Sequence, residues 1–137
     1  MFPLDTRILI VDDMTMMRSL IKSQLRQIGF SKFYEANDGQ KALGILDQTH
    51  RSGNPIQLVF ADWDMPIMSG IDLLKVLKGN PQFKDTPFIL VTAEGEPARV
   101  KEAISLGVSN FVRKPFSAAI LLEKIENVWQ SVSKKAA

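Results

Sequence analysis

Leu58-Val59-Phe60-Ala61-Asp62-Trp63-Asp64-Met65-Pro66 runs from four apolar residues into two carboxylates and a proline. Four apolar residues in succession, with a β-branched and an aromatic residue among them, predict a short strand buried on both faces. The run stops at a carboxylate, and Pro66 and Gly70 then turn the chain toward a new helix. Asp62 is therefore expected at the carboxyl end of a central parallel strand, where open α/β sheets gather their chemistry. A lone aspartate at such a place would be a turn or capping residue. The company it keeps argues otherwise.

Working outward, Arg7-Ile8-Leu9-Ile10-Val11 is also apolar almost throughout, and it runs into Asp12-Asp13. Phe33 to Ala36 predicts a shorter second strand, Phe88 to Val91 a fourth ending in Thr92, and Asn110 to Arg113 a fifth ending at Lys114-Pro115. Helices fill the intervals. Met17, Leu20, Ile21, Leu25 and Ile28 recur at helical spacing, with Thr15 as the expected cap and Gly29 as the stop. Asp38-Gly39 opens a second helix that packs through Ala42, Leu43, Ile45 and Leu46, and His50 to Pro55 reads as a loop. Ser69 and Asp72 resemble a capping box before Leu73, Leu74, Val76 and Leu77. Pro97 suits the first turn of a fourth helix reaching about Gly107. Ser117 is the expected cap of the last helix, whose stripe is Ile120, Leu121, Ile125, Val128 and Trp129. Strict strand–helix alternation requires a parallel sheet covered on both faces. The expectation is one doubly wound (βα)5 domain over residues 1–137, with its core at about 6–132.

Composition excludes several classes. The 137 residues are 45% hydrophobic and 23% charged, ordinary for a globular domain. Zero cysteines exclude a disulfide framework and thiolate metal sites. A net charge of +2 gives no argument for nucleic acid, and no apolar run reaches membrane-span length. The opening Met1-Phe2-Pro3-Leu4-Asp5 lacks the regions of a signal peptide, so a cytoplasmic protein is expected. His50, the sole histidine, reads as a surface residue, and the Lys134-Lys135 pair as a solvated tail.

Four of the five expected strands end in a residue able to handle phosphate or metal: Asp12 and Asp13, Asp62, Thr92, and Lys114. The second strand does not, which marks it as an edge. Three carboxylates gathered on one rim repel one another unless a cation lies among them. For an all-oxygen ligand set the natural cation is Mg²⁺. A carboxylate can itself accept a phosphoryl group, whose oxygens then need Mg²⁺ on one side and an ammonium on the other. Lys114 would be that ammonium, with the Thr92 hydroxyl as a further donor. No glycine-rich phosphate loop is present, which argues against a nucleotide substrate.

These residues resemble the receiver domains of response regulators, and within them the stand-alone CheY-like chemotaxis regulators. The resemblance rests on Ile8 to Asp13, Asp62-Trp63-Asp64-Met65-Pro66 with Ser69-Gly70, Val91-Thr92-Ala93-Glu94, and Lys114-Pro115-Phe116. It implies a flavodoxin-like sheet of order 2-1-3-4-5 and a cis Lys114-Pro115 bond. It implies that a histidine kinase of the CheA type phosphorylates Asp62, making the chain a signalling protein rather than an enzyme, with autodephosphorylation only. Asp13, Asp62 and the Asp64 backbone carbonyl would hold Mg²⁺, with Asp12 acting mainly through water. Thr92 would move on activation, coupled to Phe111 where the family usually has tyrosine. Arg99, Val100, Phe111 and Lys124 would form the partner face, with a flagellar motor switch as target and a phosphatase as a further partner. A monomer is expected. Asp64 stands where the chemotaxis pattern usually has asparagine, and Pro97 where it has a polar residue.

The rival reading is a haloacid-dehalogenase-like phosphatase, since Val59-Phe60-Ala61-Asp62-Trp63-Asp64 also fits an apolar strand entering Asp-x-Asp. That family carries the motif on its first strand, whereas here Asp12-Asp13 come first. A flavin-binding electron carrier on the same fold would want a phosphate-binding loop, and none is evident.

Overall fold

The computed structural model describes residues 1–93 and 97–136, with side chains to 133. Glu94 of the Val91–Glu94 motif and the side chains of Lys134 and Lys135 therefore lie outside the described residues. The chain alternates β1 (Arg7–Val11), α1 (Thr15–Ile28), β2 (Lys32–Ala36), α2 (Gly39–Arg51), β3 (Leu58–Asp62), α3 (Gly70–Lys78), β4 (Phe88–Thr92), α4 (Pro97–Ser105), β5 (Asn110–Arg113) and α5 (Ala118–Ala136). All strand pairs are parallel, in the order β2-β1-β3-β4-β5, so β2 lies at an edge as its missing terminal carboxylate suggested.

Alternation along each strand splits the core in two. Ile8, Ile10, Leu58, Phe60, Ile89 and Val91 face one layer with Ile21 and Leu25 of α1 and Leu121, Ile125 and Val128 of α5. Leu9, Val11, Val59, Ala61 and Leu90 face the other, with residues of α2, α3 and α4. Both faces of β1, β3 and β4 are thus buried, and their unbroken apolar runs follow from that.

Several local expectations need correction. Thr15 does not cap α1: it is the first helical residue, and Met14 occupies the cap with no side-chain bond. The Asp12 carboxylate takes the role instead, accepting from the Met14 N–H at 2.8 Å. His50 and Arg51 belong to the last turn of α2 rather than to the loop, and the His50 ring stands edge-on to Phe83, centroids 6.0 Å apart. Leu20, Val76 and Ile120 are exposed, each lying beside the buried stripe of its helix. Asp38 and Ser69 do cap, receiving the N–H groups of Lys41 and Asp72. Ser117 receives the N–H of Ile120. The second strand begins one residue earlier than expected, at Lys32.

Candidate functional site

Sheet register brings the strand ends to one rim. Val11 pairs with Ala61, Asp62 with Val91, and Thr92 with Arg113, so the residues that follow emerge side by side. The backbone ladder continues one residue beyond the strands: Asp12 N donates to Ala36 O, Trp63 N to Val91 O at 2.9 Å, and Lys114 N to Thr92 O at 2.8 Å. The side chains at the rim are therefore carried by hydrogen-bonded backbone, not by loose loop.

Asp12, Asp62 and Thr92 are buried, and Asp13 is exposed beside them. One carboxylate oxygen from each of Asp12, Asp13 and Asp62 lies within 4.8 Å of the other two. Lys114 reaches in from β5, its Nζ 2.9 Å from Asp62 Oδ1 and 3.9 Å from Asp12 Oδ2. Lys114-Pro115 is cis, as the resemblance implied. Burial drives the Asp12 carboxyl from 3.8 to about 6; the Met14 N–H opposes this, and the Asp62 charge reinforces it. Asp62 is also raised, again chiefly by burial, with the Lys114 hydrogen bond and charge pulling the other way.

The donor set fits a hard divalent cation. Its three carboxylates are all-oxygen ligands, and Asp12 Oδ2 is buried without a hydrogen-bond partner among the described residues. A buried anionic oxygen in that condition calls for a cation or for the water around one.

The expected partner-face residues lie together. Phe111 and Val100 are half-buried and line a small void with Trp63, Thr92, Arg99 and Ala103. Lys124 lies over Phe111, its Nζ 5.5 Å from the ring centroid. Arg99 also reaches across to the loop after β3: it pairs with the Asp64 carboxylate at 3.1 Å and stacks on Trp63.

Two contributors escaped the sequence reading. Arg18 Nη1 donates to the Asp12 backbone carbonyl at 2.6 Å, while its Nε meets Glu35 at 3.1 Å, so it secures the loop carrying Asp12 and Asp13. An arginine in the first helical turn after Asp-Asp was the available signal. Gln24 of α1 donates to the Phe116 carbonyl at 3.0 Å, next to Lys114-Pro115; nothing local in the sequence marks that contact, 92 residues away.

The model of the response regulator receiver domain matches residues 8–126. The chain belongs to the response regulator receiver family. It is 43% identical over 127 residues to the chemotaxis protein CheY of Pseudomonas aeruginosa, covering 93% of this chain and 98% of that one. It is 40% identical over 124 residues to CheY-3 of Vibrio cholerae, covering 90% and 92%. The crystal structure of Vibrio cholerae CheY4 superposes with a TM-score of 0.80 at 27% identity, covering 90% of this chain and 98% of that one. The chain is thus a two-component receiver with chemotaxis homologues, and the family gives the phosphatase reading no support. Among the described residues no helix is long and apolar enough to cross a membrane.

Proposed function

We propose that Asp62 accepts a phosphoryl group from a histidine kinase and that the resulting acyl phosphate switches the binding of a protein target. The observation that carries this is the convergence on Asp62: an ammonium at 2.9 Å and two further carboxylates within 4.8 Å, all at the carboxyl ends of parallel strands. An Asp62 oxygen attacks phosphorus, the bond to the kinase imidazole breaks, and the departing nitrogen takes a proton from water so that the imidazole leaves neutral. Lys114 balances the charge on one side of the phosphoryl group, and the Thr92 hydroxyl donates to another of its oxygens. Asp13, Asp62 and the Asp64 carbonyl would hold Mg²⁺, with Asp12 reaching it through water, and the ion would supply charge neutralisation when bound. The reaction is self-directed, and its only turnover is autodephosphorylation.

Output would run through Thr92 and Phe111, which line the same small void. Drawing Thr92 toward the phosphoryl group frees space for the Phe111 ring and shifts the populations of the α4–β5–α5 surface. The similarity to chemotaxis proteins named CheY supports a role in chemotaxis; within that reading the chain is a cytoplasmic, monomeric single domain with its core at about 6–132, acting on a motor switch and served by a phosphatase. The test is incubation with acetyl phosphate and Mg²⁺. Wild type gains one hydroxylamine-labile phosphate and Asp62→Asn gains none; equal labelling of the two overturns the reading.

A further inference from the structure

Trp63 and Asp64 directly follow the acceptor, and one side chain from α4 grips both. Arg99 donates from Nη1 to Asp64 Oδ2 and from Nη2 to Asp64 Oδ1, each at 3.1 Å. Its guanidinium carbon stands 4.9 Å from the centroid of the Trp63 ring. A planar fork that binds both carboxylate oxygens while stacking on an indole is a geometry lysine cannot reproduce.

Stability alone is a weak reason for this arrangement. The Asp64 side chain is 64% exposed, and ion pairs so open contribute little to folding. The consequence lies in charge. Asp12 and Asp13 cluster with the acceptor, Asp64 follows it by two residues, and among the described residues Lys114 bonds Asp62 itself. Any phosphodonor is anionic and must cross that rim. Asp64 is close enough for its charge to raise the Asp62 carboxyl, behind burial as the main cause. A fourth carboxylate left to swing over Asp62 would repel the incoming donor.

We propose that Arg99 is a positioning residue for phosphoryl transfer, holding the Asp64 carboxylate toward α4 and neutralising it so that an anionic phosphodonor can reach Asp62. The inference rests on Asp62 as the acceptor. It also gives Arg99 a duty at the reaction centre rather than on the partner face. The same grip joins the residue after the acceptor to α4, through Trp63, at the void where Thr92, Val100 and Phe111 meet.

The experiment is the rate of labelling by acetyl phosphate with saturating Mg²⁺ in wild type, Arg99→Ala, Asp64→Asn and the double variant. Arg99→Ala should need a higher acetyl phosphate concentration for half-maximal rate, by roughly threefold to tenfold, with the maximal rate little changed. The double variant should recover the wild-type half-maximal concentration, because no charge remains to be held and the Asp64 backbone carbonyl is untouched. Arg99→Lys, which keeps the charge without the fork, should fall between wild type and Arg99→Ala. Salt should shrink the defect of Arg99→Ala as it screens the repulsion. A merely structural loss would be neither rescued by Asp64→Asn nor relieved by salt. Normal concentration dependence in Arg99→Ala, or a defect that persists in the double variant, overturns the proposal. Should Arg99→Ala not fold, the Arg99→Lys and Arg99→Lys/Asp64→Asn pair decides on the same terms. Wild type that takes no label at all removes the acceptor reading and this inference with it.

Discussion

Gly70 lies against the backbone carbonyl of Asp62, so close that a Cβ placed on it would collide with that oxygen and press on Leu90. Its N–H donates to the Trp63 carbonyl at 2.9 Å, which pins the start of α3 beneath the acceptor loop. Gly70→Ala should therefore cost about 1–3 kcal/mol by overpacking, and it should move Asp62 relative to Lys114. Denaturant unfolding combined with the acetyl phosphate labelling rate checks both. A variant as stable and as reactive as wild type would mean that the contact is not needed.

Asp12 makes the metal-free protein sensitive to pH. Its carboxyl titrates near 6 in the folded state, against an ordinary 3.8. Between those values the folded chain holds a proton that the unfolded chain has lost, so stability falls as pH rises through the window and levels off above it. At about 1.4 kcal/mol per pKa unit the loss is at most about 3 kcal/mol, and the raised Asp62 carboxyl acts in the same direction. Glu35, lowered chiefly by its hydrogen bond to Lys22, works in the opposite sense at lower pH. The comparison is therefore between wild type and Asp12→Asn in EDTA. Thermal unfolding of the variant should show the flatter profile from pH 4 to about 6; parallel profiles would contradict it.

Binding of Mg²⁺ at this rim would have an optical reporter. Trp63 is buried next to the acceptor, whereas Trp129 packs against Phe2, ring centroids 5.0 Å apart. With Trp129 replaced by Phe, Mg²⁺ should change the remaining emission. Asp13→Ala should lose the response at millimolar Mg²⁺, and Asp12→Ala should weaken it less, as expected of a residue acting through water. Responses of Asp13→Ala that match wild type would show the ligands to be misassigned.

The strand ends were legible in the sequence because parallel strands buried on both faces leave unbroken apolar runs, and a carboxylate or lysine at the end of such a run stands out. Asp12, Asp62, Thr92 and Lys114 fell into place for that reason, and β2 declared itself an edge by lacking such a residue. Helix faces were less legible. Leu20, Val76 and Ile120 repeat at helical spacing, but a few tens of degrees around the axis separate core from solvent. The α2 terminus was placed early because the breakers Ser52-Gly53-Asn54-Pro55 dominate the composition there, though the helix itself runs on through His50 and Arg51. Contacts across long sequence distances left no local trace. Arg99 and Asp64 were each noticed, one for a surface and one as a departure from pattern, yet nothing along the chain says that residues 35 apart share two hydrogen bonds.

On the proposed function Asp62, and no other carboxylate on the rim, carries the phosphoryl group. Borohydride reduces an aspartyl phosphate to homoserine, which marks the acceptor permanently. Wild type treated with acetyl phosphate and Mg²⁺, reduced, digested and mapped by mass spectrometry should show homoserine at position 62, with Asp12, Asp13 and Asp64 unmodified. Homoserine at position 12, 13 or 64, or at none, would contradict the account.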